Sequence, residues 1–124
     1  MIQNCTILKV MDNSGAKEVM CFKVLKSKYN NQSANIGDVI KVSIKSLKDK
    51  SNTSLKKGDV FNAIILKQKN THPRFNGQKI QFNTNSVILL KNDNTPVGSR
   101  IYGTITKEIR SQNIKLLSLA SNII

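Results

Sequence analysis

The sequence predicts a mainly β protein: a small barrel or sandwich of short strands with a helical appendage at its C-terminal end. Three observations carry this. Short strand-like segments recur between turn signals rich in Gly, Asn, Asp and Ser. Residues Val39 to Lys45 alternate strictly, with Ile40, Val42 and Ile44 on one side and Lys41, Ser43 and Lys45 on the other. Two segments, Ile64-Ile65-Leu66 and Val87-Ile88-Leu89-Leu90, are apolar without a break, as strands covered on both faces are.

Taken in order, the first strand is expected over Cys5 to Met11 and the second over Val19 to Leu25. Between them, Asp12-Asn13-Ser14-Gly15 supplies the side-chain-to-backbone bonds and the backbone freedom of a tight reversal. The third strand is Val39 to Lys45, whose period of two gives one core face and one cationic face. Gly37-Asp38-Val39 and Gly58-Asp59-Val60 repeat one device: Gly turns the chain, Asp bonds the turn backbone, and a strand begins at Val. Two similar turns in one meander explain this more simply than a duplication. Strands follow over Phe61 to Lys69 and Ser86 to Lys91. Asn76-Gly77 marks a reversal, so the stretch Lys67 to Lys79 reads as a projecting hairpin. Near the end, Ile114, Leu117 and Ala120, with Leu116 beside them, have the spacing of short helical turns packed on the strands.

Charge points to the class of partner. Twenty Lys and Arg face seven Asp and Glu, a net +13, yet no block of five or six consecutive cations occurs. Positive charge is threaded through folded-looking sequence, so the surface of a compact body carries it, and such a surface calls for a polyanion. Two excursions concentrate it. One carries Lys45, Lys48, Lys50, Lys56 and Lys57, the other Lys67, Lys69, Arg74 and Lys79. Lys17, Lys23, Lys26 and Lys28, on and around the second strand, join the same expected RNA-binding set, and Asn13 and Ser14 can bond sugar or phosphate from their turn. Arg100, between Gly98 and Gly103, is expected on a phosphate or a neighbouring protein. Lys107, Arg110 and Lys115 complete a spaced set on the C-terminal segment, suited to a second partner.

Other classes find little support. Aromatic residues make up only 5% and Trp is absent, so backbone contact is favoured over base stacking, and most of the rings sit at strand positions suited to a core. A free-standing single-strand binder of the OB type would show them on an open sheet face. One His and two Cys, Cys5 and Cys21, cannot supply the four ligands of a zinc site, and no cofactor is expected. The two thiols are expected to be reduced, because nothing suggests secretion. Glu108 and Arg110 read as an exposed charge pair, not acid–base machinery, and His72 beside Pro73 reads as a turn residue. Gly98 to Gly103 lacks the Lys of a phosphate-binding loop. No apolar run approaches the ~20 residues of a membrane span, so no membrane partner is expected. The chain reads as one domain over 1–124, the barrel about 1–104 and the appendage about 105–124.

Several segments, in collinear order over the whole chain, resemble the universal large-subunit ribosomal protein numbered fourteen, in its bacterial and organellar form. They are Met1-Ile2-Gln3, Asp12-Asn13-Ser14-Gly15-Ala16, Val19-Met20-Cys21, Lys23-Val24-Leu25, Gly37-Asp38-Val39-Ile40, Lys56-Lys57-Gly58-Asp59-Val60, and Phe82 with Asn85-Ser86-Val87. Near the end, Gly98-Ser99-Arg100-Ile101-Tyr102-Gly103 is similar to the family's G-T-R-I-[FY]-G, Glu108-Ile109-Arg110 to its E-L-R, and Lys115 with Ser118-Leu119-Ala120 to its K-I-x-S-L-A. The chain departs from the family pattern at Leu66-Lys67-Gln68-Lys69, at His72 to Gly77, at Gly103-Thr104-Ile105 and in the loop Lys48 to Ser54.

The resemblance implies a small closed five-stranded β-barrel with a projecting β-ribbon and a short helical C-terminal region. It implies no enzymatic activity. The partners it implies are large-subunit rRNA, small-subunit rRNA at an intersubunit bridge, neighbouring ribosomal proteins and a ribosome-silencing factor. Seventeen of the twenty cations are Lys, and Asn and Ile are abundant, which suits A/T-rich coding. With the absence of a presequence, this points to a mitochondrial ribosome, with plastid-type organelles and the bacterial cytoplasm as alternatives.

Overall fold

The computed structural model describes residues 2–3, 5–26, 33–47, 55–74, 76–93, 95–107, 109 and 114–124, with the backbone alone at 26, 72, 114 and 121. Lys28, Lys48, Lys50, Glu108 and Arg110 lie outside these residues.

Five strands close a barrel: β1 (Ile7–Val10), β2 (Ala16–Lys26), β3 (Val39–Leu47), β4 (Val60–Lys67) and, after a ribbon, β7 (Ser86–Leu90). Neighbours β1–β2, β2–β3, β3–β4 and β4–β7 are antiparallel. The seam is parallel, β1 against β7, with Lys9 opposite Ser86 and Val10 opposite Val87. The ribbon consists of β5 (His72–Pro73) and β6 (Lys79–Ile80), antiparallel around the Asn76-Gly77 turn, where Gly77 has φ +85°.

The alternation of β3 settles as expected: Ile40, Val42 and Ile44 are buried, and Lys45 is exposed. They join Leu8, Val10, Val19, Cys21, Ala63, Ile65, Val87 and Leu89 in the barrel interior. The unbroken apolar runs of β4 and β7 are buried on both faces. Their outward residues Ile64, Leu66, Ile88 and Leu90 form a second core with Met11, Ile36, Ile101, Ile105, Ile109 and Leu116.

The two Gly-Asp turns are built alike. Gly37 and Gly58 have φ near +90°, where a side chain is disfavoured. The Asp38 carboxylate accepts the Asn35 N–H at 2.8 Å, and that of Asp59 accepts the Lys56 N–H at 3.0 Å. Each Gly N–H then donates to the adjoining strand, Gly37 to Ile65 and Gly58 to Ile44, both at 2.9 Å. The turns deliver β3 and β4 into register as neighbours.

Three expectations need correction. The second strand begins at Ala16, not Val19, and carries bulges, one between Cys21 and Lys23. Alternation with the inward Cys21 turns Phe22 to solvent, and the bulge, which leaves one residue unpaired and re-aims side chains, turns Lys23 out as well. Phe22 therefore leaves the core, as does Tyr102, which alternates with buried Ile101, whereas Phe61 and Phe82 pack against the two cores. At the C-terminal end Leu116, rather than Leu117 or Ala120, is the fully buried anchor among the described side chains, and Leu117 and Ala120 are half-buried. The helix α1 (Ile114–Leu119) stops before Ala120, because the following residues form β9 (Ala120–Ile123) in parallel with β8 (Ile101–Ile105).

Candidate nucleic-acid interface

The outer surface of the barrel has two unlike walls. On β4 and β7 it is apolar and covered by the chain's own C-terminal segment. On β1, β2 and β3 it is open and carries Lys9, Lys17, Lys23 and Lys45 exposed and Lys41 half-buried. Alternation places Lys9, Lys41 and Lys45 there, because Leu8 and Val10, and Ile40, Val42 and Ile44, take the inward positions, whereas Lys17 and Lys23 share the parity of the inward Val19 and Cys21 and are turned out at the bulges of β2. Lys9 and Lys41 are missing from the sequence-based set, although their alternation with buried neighbours carried the signal. Lys56 and Lys57, in the turn entering β4, are also exposed.

Among the described residues four of the acidic side chains, Asp12, Asp38, Asp59 and Asp93, are committed to turns and do little to offset this charge. Asp38 and Asp59 hold the two Gly-Asp turns. Asp93 accepts the Thr95 hydroxyl at 2.6 Å and its N–H at 3.3 Å, and these bonds hold its carboxyl below the usual range. Among the described residues Glu18 is the one acidic side chain on the β1–β3 wall. Glu18 stands opposite Lys9 across β1 and β2, and the remaining excess of lysine on this wall suits a phosphate backbone.

The ribbon side is more tightly built. Lys67 is half-buried, with Nζ 5.4 Å from the centre of the Phe82 ring, a cation–π distance. A Cβ at Gly103 would lie 3.4 Å from that Nζ and 3.1 Å from Met11 Cε, so the glycine makes room for both. Arg74 Nη2 donates to the Ile124 carbonyl at 2.6 Å, and the Lys107 N–H donates to the same oxygen at 3.1 Å. The ribbon is thereby tied to the tail. Lys69 and Lys79 are exposed, and so are Arg100, Lys107 and Lys115 at the other end of the molecule's sequence.

The two Gly-containing motifs at the extremes of the chain meet. Asp12 is 1% exposed. Its carboxylate accepts the Ser14 hydroxyl at 2.5 Å, the Ser14 N–H at 3.2 Å and the Leu89 N–H at 3.4 Å. Asn13 Oδ1 accepts the N–H of Ser99 at 2.7 Å and of Arg100 at 3.2 Å, while its Nδ2 donates to Ser99 Oγ at 2.9 Å. A Cβ at Gly98 would stand 2.6 Å from Asn13 Oδ1 and 3.0 Å from Asp12 Cβ. Only glycine lets the two loops close on one another. Sequence reading identified both motifs but not their contact.

A family model described as ribosomal protein L14p/L23e matches residues 1–124. The chain belongs to that family. As an L14p/L23e protein it is a structural constituent of the large ribosomal subunit, with a non-enzymatic role. Among the described residues, no group of three His, Cys, Asp or Glu gathers to hold a metal ion. Among the same residues no helix is long and apolar enough to cross a membrane. Cys5 and Cys21 are free thiols, Cys5 exposed and Cys21 buried.

Proposed function

We propose that this L14p/L23e protein anchors itself on large-subunit rRNA through the lysine-bearing wall of β1–β3 and the adjoining loops. Arg100 and the C-terminal segment, in this reading, face small-subunit rRNA at an intersubunit bridge. The observation that carries the proposal is the contrast of the two walls. One is sealed by the protein itself, and the other is cationic and, among the described residues, carries Glu18 as its one carboxylate. Folded RNA is read mainly through its phosphates and shape, and a rigid barrel with lysines on one side matches that need. Charges on a docked segment lose less ordering entropy on contact than charges on a mobile one, which supports a bridging role for Lys107 and Lys115 beside the buried Leu116. Neighbouring ribosomal proteins and a ribosome-silencing factor complete the proposed partners. The Lys, Asn and Ile bias supports a mitochondrial ribosome as its place of work.

A sucrose-gradient comparison of two charge-reversal variants tests the assignment. Lys45, Lys56 and Lys57 changed to Glu are expected to impair assembly into large subunits. Lys107 and Lys115 changed to Glu are expected to leave assembly intact and to weaken joining to small subunits. The reverse pattern overturns the assignment of the two surfaces.

A further inference from the structure

We propose that Asn13 is a positioning residue for Arg100. Its carboxamide fixes the backbone of the 98–100 loop, so that contact of the Arg100 guanidinium with a phosphodiester of small-subunit rRNA costs the ordering of the side chain but not of its root. This rests on the reading of Arg100 as a subunit-interface residue.

The argument starts from the bonds. Arg100 is exposed, and no carboxylate pairs with it among the described residues. An exposed arginine on a loop has many rotamers and a mobile root, and contact with a partner costs the ordering of both. Here the root is already ordered. Two consecutive N–H groups, those of Ser99 and Arg100, converge on one oxygen of Asn13, 86 and 87 residues away in the chain. The other end of the same carboxamide holds Ser99 Oγ. The next residue but one, Tyr102, donates its N–H to the Met11 carbonyl at 2.7 Å. Arg100 is thus bracketed on both sides by the Met11–Asn13 segment.

That segment is itself immobilised. Asp12, beneath Asn13, is buried and joined to Ser14 and to the barrel strand β7 through the Leu89 N–H. Gly98 closes the arrangement, since any side chain there would run into Asn13 Oδ1. Asn serves better than other residues at position 13, because one short planar group both accepts two backbone donors and donates to a hydroxyl. Phosphate is the favoured partner over an acidic protein surface. A planar guanidinium engages it bidentately, and the chain's excess of positive charge suits the density of phosphates at an RNA surface.

The test measures association of purified large subunits, carrying each variant, with small subunits by light scattering. Arg100→Ala is expected to weaken association about tenfold, the value of one good charged contact. Asn13→Ala and Gly98→Ala are expected each to weaken it several-fold, scored per large subunit that carries the variant. In the Arg100→Ala background Asn13→Ala is expected to add nothing, because it acts only through the arginine. Should Asn13→Ala fail to enter large subunits, Ser99→Ala at its exposed site removes the Oγ that anchors the Asn13 carboxamide while keeping both backbone donors, and its smaller effect must likewise vanish without Arg100. If Arg100→Ala weakens joining while the loop variants do not, or the double variant is additive, the positioning role falls and the interface reading stands. If Arg100→Ala leaves joining unchanged, both fall. A loss seen only when a protein factor is added assigns Arg100 to a protein partner and overturns the proposal.

Discussion

The β4–β7 wall and the β1–β3 wall of the barrel share one interior and differ wholly outside. Inside, both contribute the same kind of residue: Ala63, Ile65, Val87 and Leu89 from one, Leu8, Val19, Val42 and Ile44 from the other. Outside, β4 and β7 present Ile64, Leu66, Ile88 and Leu90, and the chain must cover them with its own C-terminal segment. Strands β1 to β3 present lysines, and Lys9, Lys23 and Lys45 stand exposed. The lesson is that one period decides the partner. A strand that is apolar at every position recruits protein from its own chain, whereas one that alternates leaves its outer face to something else.

The largest expected effect concerns the open wall. If it and the loops neutralise about 6–10 phosphates, affinity for a structured rRNA fragment should fall roughly 10³–10⁵-fold between about 50 and 200 mM salt. A flat titration in a filter-binding assay would break the comparison, because the two walls would then not differ in electrostatic function. Next comes stability. Ile88→Ala, on the covered wall, should cost about 2–5 kcal/mol in urea melts, as deletion of buried methyl groups does. Ile7→Ala, at a side chain 60% exposed on the open wall, should stay within about 0.5 kcal/mol. Comparable losses from both would show that the open wall is covered after all.

The smallest effect sharpens the point that the interior is common to both walls. Cys21 sits on β2 with its thiol turned inward, and burial raises its pKa. The unfolded thiol ionises at about pH 8.5, below the folded one. Stability is therefore fully present below that pH, and it falls as pH rises toward the folded value. Thermal melts from neutral to alkaline pH should show this decline, and Cys21→Ala should flatten that part of the curve. An unchanged slope in the variant would mean that the thiol is not desolvated.

Much of this was legible in the sequence. The alternation of Ile40 to Lys45 gave its faces directly, and the unbroken runs at 64–66 and 87–90 announced a second cover. The Gly-Asp turns could be read because a short side chain bonding its own turn is a local event. What escaped was set by distance. β8, Ile101-Tyr102-Gly103-Thr104-Ile105, is β-prone but broken by Gly103, and β9 reads Ala120-Ser121-Asn122-Ile123, with little strand character of its own. They are strands because each finds the other. Leu116 rather than Leu117 became the anchor because α1 is too short to set its own face and takes the one that the second core offers. The bulges that turn Lys17 and Lys23 outward against the period of β2 are signalled by no composition. The bonds from Asn13 to Ser99 and Arg100 link two motifs that looked independent.

The parallel seam between β1 and β7 has a consequence in time. A ribosome emits the chain from its N-terminal end, and residues 9–10 wait for residues 86–87 before their hydrogen bonds can form. Until then β1 is a bare edge, able to pair with other strands. Closure is thus a late and non-local event, and folding should be slow for a protein of this size. The exposed Lys9 stands on that waiting edge, and a charge there discourages a nascent strand from pairing with the wrong neighbour.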